Sequence, residues 1–152
     1  MEIKIRTEQR EEQNYAAIQK TVHMEEIPTV LPALIPKVLN WLEEKNIKPA
    51  SAPFFNYVNM NGETMDVEVG FVVNKEIKGN ELVKSGQFEA GKYAVATYFG
   101  PYYNLPKAHM ELGKYAKENN IKTTTATEFY VTDPQAENDP QKWQTDIVAK
   151  LT

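Results

Sequence analysis

The amino-acid sequence predicts an α+β fold made of two copies of a strand–helix–strand–strand (βαββ) unit. Two observations lead to this prediction. Short segments with alternating apolar residues, which are typical of strands, surround two segments with the three- and four-residue spacing of an amphipathic helix. Several residues of the first helix and of the strand after it recur 74 positions later. The 152 residues suit one domain, 1–152, with a pseudo-two-fold axis between its repeats.

The first repeat is predicted at residues 14–73. Pro36 lies inside its helical segment and either kinks the helix or moves its start to Leu34. Asn61-Gly62 separates the last two strands and is typical of a tight hairpin turn. The strands and the helix of this repeat are predicted, in chain order, at residues 15–22, 30–44, 54–60 and 65–73.

The second repeat is predicted at residues 88–151, after a polar connector at residues 74–87. Asn104 is a candidate N-cap for its helix. Near the N-terminus, Ile3 and Ile5 alternate with charged residues and indicate a short edge strand. The strands and the helix of the second repeat are predicted at residues 92–99, 105–117, 126–132 and 143–151.

The two copies align without a gap from the helix through the strand after it. The matching pairs are Leu31-Pro32 with Leu105-Pro106, Trp41 with Tyr115, Asn46-Ile47-Lys48 with Asn120-Ile121-Lys122, and Phe55 with Phe129. Tyr15 matches Tyr93 at a shift of 78, so the first copy has four more residues between its first strand and its helix. Where the two sheets meet, we expect a concave central groove that is suited to a ligand.

The strand at residues 126–132 carries the leading candidate for this groove. Because side chains alternate between faces, we expect Phe129 and Val131 under the helix, with Glu128 and Tyr130 together on the opposite face, in the groove. For Glu128 a solvated sheet face is the alternative. Aromatic candidates for the groove or its rim, each with ordinary core packing as the alternative, are Phe54, Tyr93, Phe99, Tyr102 and Trp143. A carboxylate among aromatic rings suits a flat hydrophobic cation.

The composition excludes several classes of function. The chain has no cysteine and only two histidines, so we expect no metal site, and no cofactor motif is present. A net charge of −4 without a basic stripe argues against direct nucleic-acid binding. The N-terminus lacks the apolar run of a signal peptide and no stretch has the length of a membrane span, so we expect a cytoplasmic protein. His109 is expected to be a partly buried structural residue.

Four stretches carry a resemblance to the GyrI-like small-molecule-binding domain, which also forms the effector-binding half of AraC- and MerR-type transcription regulators. They are Tyr93–Ala96 with Gly100-Pro101-Tyr102, Pro53 with Phe55 and Tyr57, the segment 65–73, and Glu128-Phe129-Tyr130 with Asp133-Pro134. The resemblance implies a duplicated βαββ fold in which Glu128 binds lipophilic cations. The last strand departs from the family pattern because it lacks a terminal proline, and no helix-turn-helix segment precedes the domain.

Three functions are compatible with these features. The first, which we favour, is a stand-alone binder of hydrophobic, cationic small molecules with a sensing or sequestering role, including binding of many drugs. The second is a hydrolase of reactive cyclopropane-type natural products, with Glu128 as general base beside Tyr130. The third is a protein-interaction module that resembles gyrase inhibitors, with a regulator or gyrase as its partner. A catalytic role is therefore a less favoured alternative to ligand binding.

Overall fold

The computed structural model describes all residues, Met1–Thr152, and divides into two compact units. The first unit is Glu11–Ala90, and the second combines Met1–Arg10 with Gly91–Thr152. The strands are β1 Glu2–Arg10, β2 Gln13–His23, β3 Phe54–Asn61, β4 Thr64–Val73, β5 Lys84–Phe88, β6 Gly91–Phe99, β7 Thr127–Tyr130 and β8 Gln144–Lys150. The helices are α1 Ile27–Val30, α2 Leu34–Glu44 and α3 Leu105–Glu118. No helix has the length and apolar character that crossing a membrane requires.

Each unit contains an antiparallel four-stranded arrangement with one main helix. The first unit has the strand order β3-β4-β2-β5, and the second has the corresponding order β7-β8-β6-β1. Between the first and second strands of each βαββ core lies the main helix, α2 in the first unit and α3 in the second. The α+β class and the duplicated βαββ plan are therefore confirmed.

The outer strand of each unit comes from outside the predicted repeats. The segment 74–87 was expected to be a connector, but its last four residues belong to β5, which pairs with β2, so the prediction is wrong for residues 84–87. The residues of β5 are mostly polar and lack the apolar alternation that predicts a strand. Gly86 of β5 lies close to the Tyr15 ring, and a β-carbon at this position would be 2.3 Å from a ring atom. The predicted N-terminal edge strand is present as β1, and it pairs with β6 of the second unit.

Proline positions explain where the two main helices begin. α2 begins at Leu34, after the separate single turn α1, which confirms the second of the two alternatives for Pro36. Pro36 is then the third residue of α2, where its missing N–H has no intrahelical partner to lose. Pro106 occupies the second position of α3 for the same reason.

The helix C-termini confirm the repeat at the predicted shift. Asn46 and Asn120 both adopt left-handed backbone conformations, with φ of 58° and 55°. The N–H of the residue after each asparagine donates to a carbonyl five residues earlier, over 2.9 Å in both units: Ile47 to Leu42, and Ile121 to Ala116. This hydrogen bond and the left-handed residue before it define a Schellman cap, so the same device ends both helices.

The first and last strands of the two βαββ cores correspond at a shift of 78. Ala17 pairs with Gly70 in the first unit, and Val95 pairs with Val148 in the second. Because the helices correspond at a shift of 74, the first copy has four more residues between its first strand and its helix. That sequence-based prediction is confirmed.

The strand after the helix is displaced by one residue between the repeats. Phe54 pairs with the β4 residue that corresponds to Val148, but Val148 itself pairs with Thr127. Phe55, and not Phe54, therefore has the ladder position of Glu128. The prediction of a gap-free alignment through this strand is wrong because the loop before β3 holds one more residue, a change that loops tolerate readily.

The hairpin between β3 and β4 is confirmed with its turn moved by one residue. Asn61 is still paired with Thr64, so the two-residue loop is Gly62-Glu63. Gly62 has φ of 70°, a conformation that glycine adopts without steric cost.

A core of small strand residues lets α3 pack closely on the second unit. Buried alanines on β6 and β8 face the buried helix residues Leu105, Ala108 and Leu112. Ile3 and Ile5 of β1 and the aromatic residue Tyr130 of β7 pack at the margin of this core. The helix-facing side of the sheet thus includes residues from all four strands.

The shared helix cap predicts matched effects on stability. Replacing Asn46 or Asn120 by Ala forces a β-carbon into the left-handed region without a polar side chain, and each change should lower the free energy of unfolding by about 1 kcal/mol. Replacing either residue by Gly should be close to neutral. Urea denaturation of the four variants measures both effects. A glycine variant that is less stable than its alanine counterpart would contradict the capping role.

Candidate functional site

Glu128 is a buried carboxylate that lies against α3. Its residue exposure is 4%, and its Oε2 is 2.6 Å from Nε2 of His109 on α3. The Tyr130 hydroxyl donates a hydrogen bond of 2.5 Å to the other carboxylate oxygen, Oε1. Hydrogen bonds of this kind are what make a buried charge tolerable in a protein interior.

These contacts correct the predicted orientation of the strand. Glu128 and Tyr130 lie on the face that packs against α3, and not on the opposite face. Phe129 consequently lies on the other face, where it is also buried, while Val131 just beyond the strand is 45% exposed. The expectation placed the apolar residues under the helix, but His109 supplies a polar partner there.

An aromatic cluster adjoins the carboxylate through Tyr130. The ring centroid of Tyr102 lies 5.6 Å from that of Tyr130 in an edge-to-face arrangement, and 4.8 Å from that of Trp143 in a tilted one. These three rings form what we term the aromatic cluster. The structure therefore brings together four of the predicted site residues: Glu128, Tyr130, Tyr102 and Trp143.

The turn after β6 positions two members of the aromatic cluster. Gly100 has φ of 152°, and its N–H donates a hydrogen bond of 2.9 Å to the Trp143 carbonyl. The hydroxyl of Tyr98 reaches over this turn and donates to the Pro101 carbonyl over 2.8 Å. Tyr102 follows at once, so the Gly-Pro-Tyr sequence fixes its ring beside Trp143.

Two phenols of the second unit, those of Tyr102 and Tyr98, remain neutral hydrogen-bonding groups at ordinary pH. Burial raises the pKa of Tyr102, and the Asp133 carboxylate raises it further. Burial also raises the pKa of Tyr98. Thr145 lies opposite Tyr130 on β8, and its buried hydroxyl has no hydrogen-bond partner.

The remaining predicted site residues lie elsewhere. Tyr93 alternates away from α3, with the Arg10 guanidinium 5.8 Å from its ring centroid. Phe99, at the end of β6, has the same parity as Tyr93 and lies on that opposite face. Phe54 belongs to the first unit, where its ring packs 5.2 Å from both Tyr15 and Phe88.

Sequence reasoning missed His109 as a partner of Glu128. Its position, four residues after Leu105 and three before Leu112, places it on the buried stripe of α3. This spacing was a usable signal, because a histidine on a buried stripe needs a polar partner.

A second carboxylate site in the first unit was also missed. One oxygen of Glu68 accepts hydrogen bonds from the Tyr15 hydroxyl and the Asn56 amide, each of 2.8 Å. Burial and the adjacent Glu68 carboxylate raise the pKa of Tyr15 strongly. Nothing in the strand alternation alone predicts these contacts, since they join three different strands.

The arrangement around Glu128 supports two kinds of chemistry. A buried carboxylate beside aromatic rings can pair with an organic cation. The same carboxylate, in contact with an imidazole, can also accept and return a proton. The described side chains contain no group of three or more residues that could hold a metal ion.

Comparison with known proteins identifies the type of domain. A family model for the GyrI-like small molecule binding domain matches residues 1–151. No curated protein shows significant sequence similarity to the chain.

Solved structures with the same fold include proteins of several kinds. The EcmrR C-terminal domain has a TM-score of 0.84 at 18% identity, with 100% of this chain and 99% of that one covered. In the EcmrR–DNA complex, where the TM-score is 0.79, this chain spans 57% of the longer EcmrR chain. SAV2435 bound to tetraphenylphosphonium has a TM-score of 0.72 at 10% identity, covering 98% and 94% of the two chains. A hydrolase from Listeria innocua has a TM-score of 0.62 at 10% identity, covering 98% and 92%.

Two glycines of the second unit predict opposite effects of one substitution. In Gly100→Ala the new β-carbon would lie 2.3 Å from the Tyr98 hydroxyl, so this change should lower the free energy of unfolding by roughly 1–3 kcal/mol. In Gly113→Ala nothing lies within 4 Å of the β-carbon, and the exposed helix should gain about 1 kcal/mol. Thermal and urea denaturation compare the two. Equal effects would contradict the constraint at the turn.

Proposed function

This chain belongs to the GyrI-like small-molecule-binding family, and we propose that it binds hydrophobic, cationic small molecules at Glu128. The observation that carries the proposal is the burial of a carboxylate beside aromatic rings. At 4% exposure, Glu128 is held by His109 and Tyr130 and adjoins the aromatic cluster.

Two physical terms favour a lipophilic cation in this setting. Attraction to the carboxylate is stronger in a buried environment than in water, because the effective dielectric constant is lower. The faces of Tyr102, Tyr130 and Trp143 add cation–π attraction and bury apolar ligand surface. Neither term demands one ligand shape, so we expect a range of flat or globular cations to bind with Kd near the micromolar range, about −8 kcal/mol.

The similar structures agree with this proposal at the level of the ligand class. Tetraphenylphosphonium, the molecule bound to SAV2435, is a hydrophobic cation with a permanent charge. Binding of such ligands would suit a sensing or sequestering role. We propose that the chain has this role in the cytoplasm and that it binds many different drugs. EcmrR, whose C-terminal domain has this fold, occurs in a complex with DNA. Our proposal for this chain concerns only ligand binding by such a domain.

The charge of Glu128 should discriminate between cationic and neutral ligands. Glu128→Gln keeps the size of the side chain and removes its charge. We expect binding of tetraphenylphosphonium to weaken by about 1–3 kcal/mol. Binding of neutral triphenylphosphine oxide should change much less, because it loses no ion pair. Titration calorimetry with both ligands measures the difference.

Glu68→Gln is the matched control for this experiment. It makes the same isosteric change in the first unit, at a carboxylate that is bound by neutral donors. We expect the affinity for tetraphenylphosphonium to stay at its wild-type value. Equal losses for the cationic and the neutral ligand in Glu128→Gln, or a loss in the control of the same size, would contradict the proposal.

The contact between His109 and Glu128 favours hydrolysis of a strained electrophile as a second candidate. Glu128 would take a proton from water, whose oxygen forms a bond to a cyclopropane carbon. The ring bond breaks, and the leaving carbon takes up the proton. Turnover of a cyclopropane-type substrate, followed by product mass, should vanish in Glu128→Gln. Binding of such a substrate without turnover by the wild type would exclude this candidate.

A further inference from the structure

His109 is the partly solvent-exposed partner of the buried Glu128 carboxylate. Its Nε2 lies 2.6 Å from Oε2 of Glu128, and its side chain is 32% exposed, compared with 5% for that of Glu128. Protons can therefore exchange at the imidazole while the carboxylate stays buried. We propose that His109 determines ligand specificity, an inference that rests on the proposed function. When His109 is protonated, its positive charge compensates the Glu128 carboxylate, as a cationic ligand would otherwise do.

The two protonation states of His109 give the site different charges. With a neutral imidazole that donates from Nε2, the pair carries the single negative charge of the carboxylate. With an imidazolium, the two charges compensate and the pair is neutral. Histidine is the residue type whose charge most often changes within the physiological pH range, so both states have to be considered for His109. Cations are expected to prefer the first state, and neutral ligands to distinguish little between them.

The titratable side chains placed near this pair on the neighbouring elements are mainly tyrosines. On β7 the titratable neighbours are Glu128 itself and Tyr130, and beyond β6 there is Tyr102, whose pKa is raised. Tyr98 on β6 also has a raised pKa, so Tyr98 and Tyr102 are both neutral in this range. Helix-facing residues of β1 and β8 that pack on this core carry no charge: Ile3, Ile5, Thr145, Ile147 and Ala149.

Two charged side chains lie on segments next to this core. They are Asp133, which acts on Tyr102, and Lys92, which is exposed at the far end of β6. Residues one turn from His109 on α3, namely Leu105, Leu112 and Gly113, are uncharged. The charge that we propose to vary in this part of the unit is that of His109.

The first unit provides an internal comparison. Glu68 is held by the Tyr15 hydroxyl and the Asn56 amide, two donors that do not change charge near neutrality. The carboxylate with a titratable partner is the one beneath α3, next to the aromatic cluster. The histidine is thus specific to the site that we propose for ligands and is not a general way of satisfying carboxylates in this chain.

Linkage fixes the sign of the effect. If protonated His109 opposes cations, then binding of a cation must release a proton, and the two effects are equal in size. Affinity for a permanent cation should be full above the histidine's titration range and should fall as the pH is lowered through it. A neutral ligand of similar shape should show no such dependence.

The experiment is a pH titration of ligand affinity with a probe that does not titrate. Calorimetry with tetraphenylphosphonium from pH 5 to pH 8 should give a Kd about tenfold weaker at the acid end. Measurement near pH 6 in two buffers of different ionisation enthalpy should show release of a fraction of a proton per ligand. In His109→Gln, whose amide can donate to Glu128 without titrating, the pH dependence should disappear. In His23→Gln, which alters the only other histidine, it should persist.

The outcomes separate this inference from the proposed function. Binding with the same pH dependence in wild type and His109→Gln would overturn the role of His109 and leave the ligand class intact. Absence of proton release by the wild type would overturn it as well, and that measurement does not depend on the folding of a variant. Failure of tetraphenylphosphonium to bind at any pH would overturn the proposed function and the inference together.

Discussion

The burial of one carboxylate beneath a helix constrains the whole second unit. Glu128 is 4% exposed, and a charge in that position requires polar partners at fixed places. One partner comes from α3 and one from the same strand, so the register of β7 and the rotation of α3 are tied to each other. Shifting β7 by one residue would turn the carboxylate to the other face of the sheet, away from His109.

The same constraint gives the site its chemical character. A carboxylate that is already paired with a proton-carrying group can exchange that partner for a ligand without exposing a bare charge. The aromatic cluster, fixed by the Gly100 turn and the hydrogen bond from Tyr98, supplies the apolar side of the site. Under the proposed function, stability and ligand selection would draw on the same few contacts, which would account for a mid-strand glutamate, a locally unfavourable residue, at this position.

Local sequence signals predicted most of the fold. The recurrence of Asn46 at Asn120, the helix start at Leu34 and the hairpin near Gly62 each depend on backbone preferences of single residues, and all are present. The predictions that failed concern the pairing of strands, which depends on residues that are far apart in the sequence. β5 is polar, largely exposed and contains Gly86, and hydrophobic pattern specifies the pairing of such a strand only weakly. The one-residue displacement at Phe54 comes from the loop before β3, whose length the pattern does not reveal.

The candidate site shows the same division between local and distant signals. Glu128, Tyr130, Tyr102 and Trp143 were among seven predicted site residues, and these four lie together. The family resemblance marks the motifs of the first three, whereas Trp143 was only an aromatic candidate. The prediction placed Phe129 on the face of β7 towards the helix and Glu128 on the opposite face, and this is wrong. Hydrophobic alternation favours the apolar residue beneath the helix and does not consider that His109 on the helix can pair with a carboxylate. Only the contact with His109, between residues on different elements, decides the direction in which Glu128 points.

A crystal structure of the chain with tetraphenylarsonium tests the central claim most directly. This cation is nearly isosteric with tetraphenylphosphonium, and anomalous scattering locates its arsenic atom without ambiguity. The account predicts arsenic near the Glu128 carboxylate, with a phenyl group against a ring of the aromatic cluster and a ring centroid within about 6 Å of the cation. Ordered arsenic at a site remote from Glu128, with the contact between His109 and Glu128 undisturbed, would contradict it.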